Sequence, residues 1–474
     1  MKHWSMKQRS MMRSGLFAGI ALLAVAAGAQ AAPAGHPQAE AQALDLAKKS
    51  IAMRSVRGKG NQTAQVAELY KQALINGGFD PKEITITPVD DTVYFIARWP
   101  GSDSSLKPLV ISGHMDVVEA NPADWERDPF TPVVENGYLF GRGATDMKTD
   151  GALAISSLIE MKRQGYKPRR DIIIEFSGDE ETTMKTSEII AEKLSNAELV
   201  LNIDGGGGTL NEQTGKPEYF SWTGAEKTYA DYELTVTNPG GHSSEPRPDN
   251  AIQQLAAALV RIGNYHFKPE LNDLTRAYFQ AAAKYERPEI AEAMRAFAAN
   301  PQDEKAIATL RADPAFVGRI GTTCVATMIN GGHALNALPQ RATANVNCRI
   351  FPGHSPEAIM AELKQVAADP AVSFKDVTVG SVATGPSPMR QDFIQAIEKA
   401  LHTAYPGVPV IPSMSAGASD SMWFRHKNVP SYSVSPLFIK NSESFSHGLN
   451  ERVPIANFQP AIKFYITLFT DLSK

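Results

Sequence analysis

The stretch Leu109-Val110-Ile111-Ser112-Gly113-His114-Met115-Asp116 decides the fold, and it combines an apolar run with two chemically active side chains. A short apolar run that stops at a Ser-Gly pair is typical of a buried central strand. In open α/β sheets, ligands bind beyond the carboxyl ends of such strands. If the segment stays extended, His114 and Asp116 point to the same side, which suits a metal-binding imidazole oriented by a carboxylate. A structural or exposed histidine is the alternative interpretation of this stretch alone.

The first 31 residues predict a secretory signal peptide. A basic start precedes an uncharged, mostly apolar run from Gly15 to Ala29, and Ala29-Gln30-Ala31 fits the small-x-small cleavage rule. A membrane anchor is the weaker interpretation, because this run is shorter than the ~20 residues that span a bilayer. We therefore expect a secreted or periplasmic protein without a membrane anchor after cleavage.

Composition limits the function of the remaining 443 residues. They carry 43 basic and 51 acidic side chains, a formal charge of −8. This balance argues against nucleic-acid binding, which depends on clustered Lys and Arg, and the length predicts two domains. Cys324 and Cys348 are too few for a tetrahedral cysteine metal site. Whether they form a disulfide across paired strands stays open.

The order of helix and strand patterns predicts an α/β protein with an inserted domain. Residues 38–224 and 383–474 form the expected catalytic zinc domain, with a central mixed sheet flanked by helices. Residues 225–382 change to a β-α-β-β-α-β order, which predicts an α+β lid, of the dimerisation type, with an antiparallel sheet. Residues 264–316, rich in Ala, Glu and Lys and without strand patterns, predict a helical insertion in this lid.

Carboxylates also occur near other predicted strand and helix ends. Asp146 precedes a helical pattern, where capping of the helix is the alternative role. The apolar strand Arg170 to Phe176 leads into Asp179-Glu180-Glu181, for which a solvated acidic loop is the alternative. A bound cation would remove the repulsion within this triplet. Because neighbours on an extended segment alternate, one glutamate could hold a metal while the next faces a substrate.

Two further groups complete the candidate metal ligands. Asp204 follows the apolar strand Leu199 to Ile203 and precedes four glycines, a position that turn chemistry also explains. His447 lies in a polar loop near the C-terminus. Imidazole and carboxylate ligands suit zinc. Three carboxylates and one bridging hydroxide would balance the charge of two zinc ions, which favours a two-metal site with one shared carboxylate.

Six motifs, in order, resemble those of the co-catalytic zinc amidohydrolases. This family includes glutamate carboxypeptidase, aminoacylase, succinyl-diaminopimelate desuccinylase and the peptidase V and carnosinase-type dipeptidases. The resemblance covers about residues 45–470, and the motifs are Ser112-Gly113-His114-Met115-Asp116, Gly141-Arg142-Gly143-Ala144-Thr145-Asp146-Met147-Lys148, Asp179-Glu180-Glu181, Asn202-Ile203-Asp204-Gly205-Gly206, Gly241-His242-Ser243 and Ser446-His447-Gly448.

The resemblance implies two Zn²⁺ ions, for which Co²⁺ or Mn²⁺ could substitute. It assigns the metal ligands to two sets, His114, Asp146 and Asp204 for one ion and Glu181, Asp146 and His447 for the other. Of the catalytic residues, it makes Glu180 the general base and Asp116 the partner that orients His114. A water shared by the two metals would attack the amide carbon.

The resemblance also implies substrate contacts outside the metal ligands. His242 resembles the family histidine that donates to the oxyanion, and in dimeric relatives this histidine reaches into the partner's site. Asn336 and Arg349 resemble the lid residues that bind the substrate backbone and its carboxylate. Gly417 lies in a small-residue loop, 415–420, that could admit a ligand's backbone. Because the family histidine reaches into the partner's site in dimeric relatives, we expect a homodimer through the lid.

One ligand position indicates the substrate. Family members with Asp at the position of Asp204 are mostly aminopeptidases and dipeptidases, whereas those with Glu are mostly deacylases and carboxypeptidases. We therefore expect an exported di-zinc metallopeptidase that hydrolyses an amide bond of dipeptides or short peptides. An N-acyl amino acid deacylase or glutamate-type carboxypeptidase is the alternative enzyme. A catalytically silent zinc-binding module is the other alternative, although the complete set of ligands and base argues against it.

Two features depart from the family pattern. Thr149-Asp150 replaces the small residues that usually follow the Asp-Met-Lys segment, and the insertion at 264–316 is expected to enlarge the lid.

Overall fold

The computed structural model describes residues 35–474, and the predicted signal peptide, residues 1–31, lies outside them. Within the described part, no helix is both long enough and apolar enough to cross a bilayer. The strands are, in chain order, β1 (Ile84–Val89), β2 (Thr92–Trp99), β3 (Leu109–His114), β4 (Val133–Glu135), β5 (Tyr138–Phe140), β6 (Ile172–Ser177), β7 (Leu199–Asn202), β8 (Gly207–Leu210), β9 (Pro217–Glu226), β10 (Thr228–Thr237), β11 (Gly241–His242), β12 (Thr323–Gly331), β13 (Ala337–Leu338), β14 (Arg341–Ile350), β15 (Ser373–Asp376), β16 (Val410–Ser415), β17 (Ser431–Ser433), β18 (Phe438–Ile439) and β19 (Arg452–Pro454).

The described residues also contain thirteen α-helices. They are α1 (Pro37–Ile51), α2 (Thr63–Asn76), α3 (Lys148–Arg163), α4 (Lys185–Lys193), α5 (Ala251–Asn264), α6 (Asp273–Ala282), α7 (Pro288–Ala299), α8 (Glu304–Ala312), α9 (Pro314–Val317), α10 (Pro356–Ala367), α11 (Gln391–Ala404), α12 (Ser421–His426) and α13 (Phe458–Leu472).

A ten-stranded mixed sheet forms the centre of the larger part of the molecule. Its strands lie in the order β1-β2-β6-β3-β7-β17-β9-β8-β18, and β16 pairs with β9 outside this path. The strands β6, β3 and β7 are parallel neighbours, while β2 joins β6 antiparallel. All six residues of β3 and all six of β6 are buried, as expected for strands covered on both faces. This arrangement confirms the predicted mixed α/β sheet.

Helix packing explains why the apolar runs are so continuous. Helix α3 is buried along nearly its whole length, and its neighbours include α1 and α13. The apolar sides of these helices join the sheet in one large core that includes Phe95, Phe176, Tyr432 and Tyr465. A smaller apolar cluster on the central sheet forms around Val110, α4 and α12. The helices therefore cover the sheet and leave its strand ends available for polar groups.

A separate four-stranded antiparallel sheet forms the lid, with strand order β12-β14-β10-β15. Helices α5 and α10 pack on one face through Leu255, Ile262, Ile359 and Leu363. Cys324 and Cys348, which lie directly opposite each other on β12 and β14, form a disulfide. The pairing that the sequence left open is therefore present. Strand β12 is at the edge of the sheet.

The helical insertion packs mainly on the central sheet, not on the lid sheet. Its apolar cluster includes Ile411 of β16, with Tyr219 of β9 packed against it. Leu274 of α6 joins the main core. The sequence analysis grouped residues 264–316 with the lid, whereas the apolar cluster of α6 to α9 lies against strands of the central sheet. Periodicity shows that a helix has an apolar face, but it does not show which sheet that face covers.

Candidate metal centre

Three parallel strands bring the first candidate residues to one edge of the central sheet. His114 ends β3 and lies beside Ser177, the last residue of β6. Ser112 of β3 lies beside Asn202, the last residue of β7. The segments after β6 and β7, which contain Glu180, Glu181 and Asp204, therefore begin next to His114. This is the carboxyl edge at which α/β sheets bind ligands.

The predicted ligands form two sets that share Asp146. His114 Nε2 lies 3.0 Å from Asp146 Oδ1 and 3.8 Å from Asp204 Oδ2. His447 Nε2 lies 3.1 Å from Asp146 Oδ2 and 3.0 Å from Glu181 Oε2. In each set, one ligand atom from each residue lies within 4.8 Å of the others. The two oxygens of Asp146 thus face different histidines, as a shared carboxylate must.

Asp146 does not cap the following helix. The residue at the N-cap of α3 is Met147, and no side chain accepts a hydrogen bond there. The carboxylate of Asp146 points to the two histidines instead, and the Asp146–Met147 peptide bond is cis. The alternative interpretation of Asp146 as a helix cap is therefore wrong.

Glu451 holds the loop that presents Asp146, a role that no pattern in the sequence indicates. It is fully buried and accepts hydrogen bonds from the backbone N–H groups of Gly143, Thr145 and Asp146. Its Oε2 also accepts from Arg142 Nη1 at 2.7 Å. Arg142 and Glu451 are 309 residues apart in the chain, so no local spacing could have linked them.

The acidic triplet divides into two environments. Asp179 is structural, since its carboxylate accepts hydrogen bonds from the backbone of Lys185 and Thr186 at the start of α4. Glu180 and Glu181 donate their backbone N–H groups to the two carboxylate oxygens of Asp116, at 3.1 and 3.0 Å. A solvated acidic loop therefore does not describe this segment, which is mostly buried.

Asp116 contacts His114 as well as the glutamate segment. His114 Nδ1 lies 3.0 Å from the backbone carbonyl oxygen of Asp116 and 3.6 Å from its Oδ1. An imidazole held in this way at one nitrogen presents the other nitrogen in a fixed direction. Asp116 therefore fixes the positions of both a candidate ligand and the candidate base.

Burial and like charge raise the pKa values of several of these carboxyls. Burial, followed by the charge of Asp146, raises the pKa of Asp204 to about 8. Burial also raises the pKa of Glu181 and, by more, that of Glu180. Hydrogen bonds to Asp146 and Glu181 raise the pKa of His447 to about 10. These acids therefore need nearby positive charge to stay ionised together.

The residues present fit a pair of divalent metal ions. Each set offers an imidazole nitrogen and carboxylate oxygens, the donors that Zn²⁺ takes and that Co²⁺ and Mn²⁺ also accept. His114, Glu180 and Glu181 form a third overlapping set that meets the same distance criterion. Divalent ions at this position would offset the repulsion that raises the carboxyl pKa values.

Two adjoining cavities open at the ligands. The first, of about 320 Å³, extends from Asp146 and Asp204 along the Gly205–Gly208 segment to Tyr219, Arg319 and Lys440. The second, of about 220 Å³, contains Glu180, Glu181, His447, Glu226 and Ser415. Tyr219 and Ser221 of β9 line the first cavity, and Thr223 lines the second. The three are alternate residues of one strand, so their side chains point to the same face of the sheet. We refer to the two together as the cleft.

Three of the four residues predicted to contact substrate belong to the lid and do not line the cleft. His242 and Asn336 are exposed neighbours on the β11–β13 ribbon of the lid, where Ser243 N donates to Asn336 O at 3.0 Å, and neither lines the cleft. Arg349 is half-buried, and its guanidinium lies 4.8 Å from the ring centre of Tyr229. Gly417 lies in a loop whose members Ser415, Ala418 and Ser419 line the second cavity.

One protein family and several known proteins are similar to this chain. A family profile described as Peptidase family M20/M25/M40 matches residues 110–471. The chain is 27% identical over 393 residues to a probable carboxypeptidase S-like 2 of Dictyostelium discoideum, covering 80% of this chain and 74% of the relative. It is 29% identical over 381 residues to the N-fatty-acyl-amino acid synthase/hydrolase PM20D1 of Xenopus tropicalis, covering 78% and 73%.

A solved structure has the same fold. The M20 family metallo-carboxypeptidase Sso-CP2 from Sulfolobus solfataricus matches with a TM-score of 0.69 and 20% identity, over 90% of this chain and 98% of that one.

Proposed function

The chain belongs to peptidase family M20/M25/M40 and is a hydrolase of that family, and we propose that it cleaves an amide bond of dipeptides or short peptides by metal-dependent hydrolysis. The observation that carries this proposal is the convergence of two ligand sets on Asp146, with Glu180 in the same cavity. We propose His114, Asp146 and Asp204 as ligands of one ion. Glu181, Asp146 and His447 are the proposed ligands of the other.

The chemistry follows from the residues around the cleft. Bound divalent ions would supply Lewis acidity, which lowers the pKa of water and polarises an amide carbonyl. Glu180 accepts the proton of the attacking water on its carboxylate and delivers it to the nitrogen of the leaving amine. Burial raises the pKa of Glu180 well above its ordinary value, and bound divalent ions would lower it again, which would leave the carboxylate able to accept a proton.

Asp116 serves as the positioning residue for this step. Its two carboxylate oxygens accept the N–H groups of Glu180 and Glu181, so the base and a ligand are held by one side chain.

Arg349 is proposed to recognise the substrate's terminal carboxylate. Its guanidinium forms no hydrogen bond or ion pair with any described residue, although burial is enough to lower its pKa. Arginine binds carboxylates through paired hydrogen bonds. A free carboxylate is common to dipeptides, peptides with a free C-terminus and N-acyl amino acids, so this contact fits all three classes.

Short peptides remain the first candidate because of Asp204 and the polarity of the cleft. Most of the first cavity consists of glycines, hydroxyl side chains and charged groups, and its few apolar side chains include Leu437 and Ile439. A long alkyl chain would find little apolar surface there. N-acyl amino acids are the second candidate, favoured by the similarity to the Xenopus N-fatty-acyl-amino acid synthase/hydrolase.

The test is hydrolysis of a substrate panel by purified protein before and after treatment with a chelator, with Zn²⁺, Co²⁺ or Mn²⁺ added back. The panel holds free dipeptides, N-acetyl amino acids, C-terminal glutamate conjugates and an N-fatty-acyl amino acid. Metal-restored cleavage of dipeptides would support the first candidate. Preferred cleavage of an acyl amino acid would select the second, and a panel without chelator-sensitive hydrolysis would contradict the proposal.

A homodimer through the lid is proposed to complete the site. Strand β12 leaves one edge unpaired among the described strands, and Val325, Met328 and Ile329 on it are about 60% exposed. An apolar edge of this kind favours pairing with another strand, and a second copy of the chain would bring its own His242 and Asn336. Light scattering during size-exclusion chromatography should give the mass of a dimer, and Met328→Glu should give that of a monomer.

Export is proposed from the first 31 residues. Expression of the full chain in a Gram-negative host should yield a periplasmic protein whose N-terminal sequence begins at Ala32. Retention of residues 1–31 in the purified protein would contradict this expectation.

A further inference from the structure

The segment after α9 places the guanidinium of Arg319 in the first cavity, at the end away from the metal ligands. Arg319 follows α9 and lines the cavity together with Tyr219 and Gly205–Gly208. The insertion holds this side chain, since its guanidinium lies 4.4 Å from the ring centre of Tyr278 in α6. The packing of the insertion on the central sheet therefore has a consequence inside the cleft.

Arg319 has unused hydrogen-bonding capacity. Its Nη1 donates to Ser413 Oγ at 3.0 Å and to the carbonyl oxygen of Met414 at 3.2 Å. Its Nε and Nη2 make no hydrogen bond to the described residues, and no carboxylate in that part of the chain forms an ion pair with it. A guanidinium fixed on one side and free on the other is suited to bind a planar anion.

A second cation lies in the same cavity. Lys440 follows β18 and is half-buried, and within residues 35–474 it forms no ion pair. The opposite end of the cavity is acidic, since Asp146 and Asp204 line it. The cavity therefore runs from the metal ligands to two unpaired cations, so a bound group would meet opposite charges at its two ends.

Arg349 does not line the first cavity, which has metal ligands at one end and Arg319 at the other. With the terminal carboxylate of the substrate held by Arg349, the part of the substrate that enters the first cavity is the acyl side of the scissile bond. This side extends from the metal ligands toward Arg319.

We propose that Arg319, assisted by Lys440, is a specificity residue that selects substrates with a second carboxylate on the acyl side of the scissile amide. This inference rests on the proposed amide hydrolysis and adds a substrate class to it: dipeptides with an N-terminal Glu or Asp, or amino acids acylated by a dicarboxylic acid. Both classes share the recognised group, a carboxylate at the end of a short chain.

The experiment compares substrates that differ only in that group. Steady-state kcat and KM are measured for glutamyl-leucine against glutaminyl-leucine, and for N-succinyl-leucine against N-succinamoyl-leucine. The wild-type enzyme should prefer the carboxylate member by about tenfold or more in kcat/KM in at least one pair, the effect of a charge-assisted hydrogen bond. Arg319→Ala should remove this preference, mainly by raising KM, while the neutral substrate changes less than about threefold.

Control variants separate this role from structure and net charge. Arg295 is an exposed residue of α7, and Arg295→Ala removes the same charge without reaching the cleft. Arg319→Glu should shift the preference from glutamyl to lysyl dipeptides. Thermal unfolding tests whether each variant folds, and Lys440→Ala provides a second test that leaves the insertion intact.

The outcomes distinguish this inference from the proposed function. Equal losses on the acidic and neutral members, or no acidic preference in the wild type, would overturn the role of Arg319 and leave amide hydrolysis standing. Absence of chelator-sensitive hydrolysis of every amide tested would overturn both.

Discussion

The metal-ligand edge of the central sheet and the lid differ in how they hold their functional residues. At the sheet edge, His114, Asp146 and Glu181 are positioned by buried strands and by hydrogen bonds to Asp116 and Glu451. On the lid, His242 and Asn336 are exposed, and their hydrogen bonds are to Ser244 and Ser243, close to them on the lid.

The metal ligands are already in position, whereas the lid residues that would contact the substrate still have to be brought to it. Metal ligands must be close together before an ion binds, and buried strands provide that closeness. Residues that close over a substrate can lie apart until a domain moves or a second copy docks. The predictions below test this division, beginning with the sheet edge.

Removal of the shared ligand should give the largest effect. Asp146→Ala takes one oxygen from each ligand set, so both metals should be lost and kcat/KM should fall at least about 10⁴-fold. Metal content by mass spectrometry and turnover of the best dipeptide check this. Asp45→Ala, an exposed change on α1, is the control. Retention of two metals by the Asp146 variant would contradict the shared-ligand assignment.

Removal of the base should separate turnover from metal binding. Glu180→Gln keeps the shape of the side chain but cannot accept a proton, so kcat should fall about 10²- to 10⁴-fold. The metal content should stay at the wild-type value, because Glu180 belongs to neither proposed ligand set. Glu188→Gln on the exposed face of α4 is the matched control. Normal turnover of the Glu180 variant would rule out its role as base.

Glu451 tests whether the sheet edge depends on support from distant residues. Glu451→Gln replaces an acceptor oxygen by a donor nitrogen opposite buried N–H groups and leaves Arg142 without a carboxylate partner. We expect about 10- to 100-fold weaker metal binding and a loss of about 3–5 kcal/mol in the free energy of unfolding. Metal titration and urea unfolding measure both quantities. Glu398→Gln on the exposed side of α11 should change neither.

The lid should give a smaller effect that depends on substrate. Arg349→Ala should raise KM about tenfold for substrates with a free C-terminal carboxylate, with little change for the corresponding C-terminal amides. Arg341→Ala, an exposed change on the same strand, should leave both KM values unchanged. Equal effects of Arg349→Ala on acids and amides would show that the residue supports the lid rather than binding the carboxylate.

The sequence contained enough local information to predict the central sheet and the position of its polar edge. Apolar runs followed by small residues marked β3, β6 and β7, and parallel strands must end at one edge. The proximity of His114, Glu181 and Asp204 followed from this rule.

The supporting contacts could not be predicted, because they join distant parts of the chain. The bond between Arg142 and Glu451 has no local pattern. The attachment of α6 to α9 was likewise hidden, since an amphipathic helix does not specify its partner surface. The position of Arg319 in the cleft depends on this attachment, so no local pattern in the sequence indicates it.

The lid disulfide has a practical consequence for anyone handling the protein. Cys324 and Cys348 are 24 residues apart, and the exposed segment Asn330–Leu335 lies between them. A protease that cuts this exposed segment would leave both fragments covalently joined. Such nicked protein would run as one band on a denaturing gel without reductant and as two bands with it. A single band on a non-reducing gel therefore does not show that the lid is uncleaved.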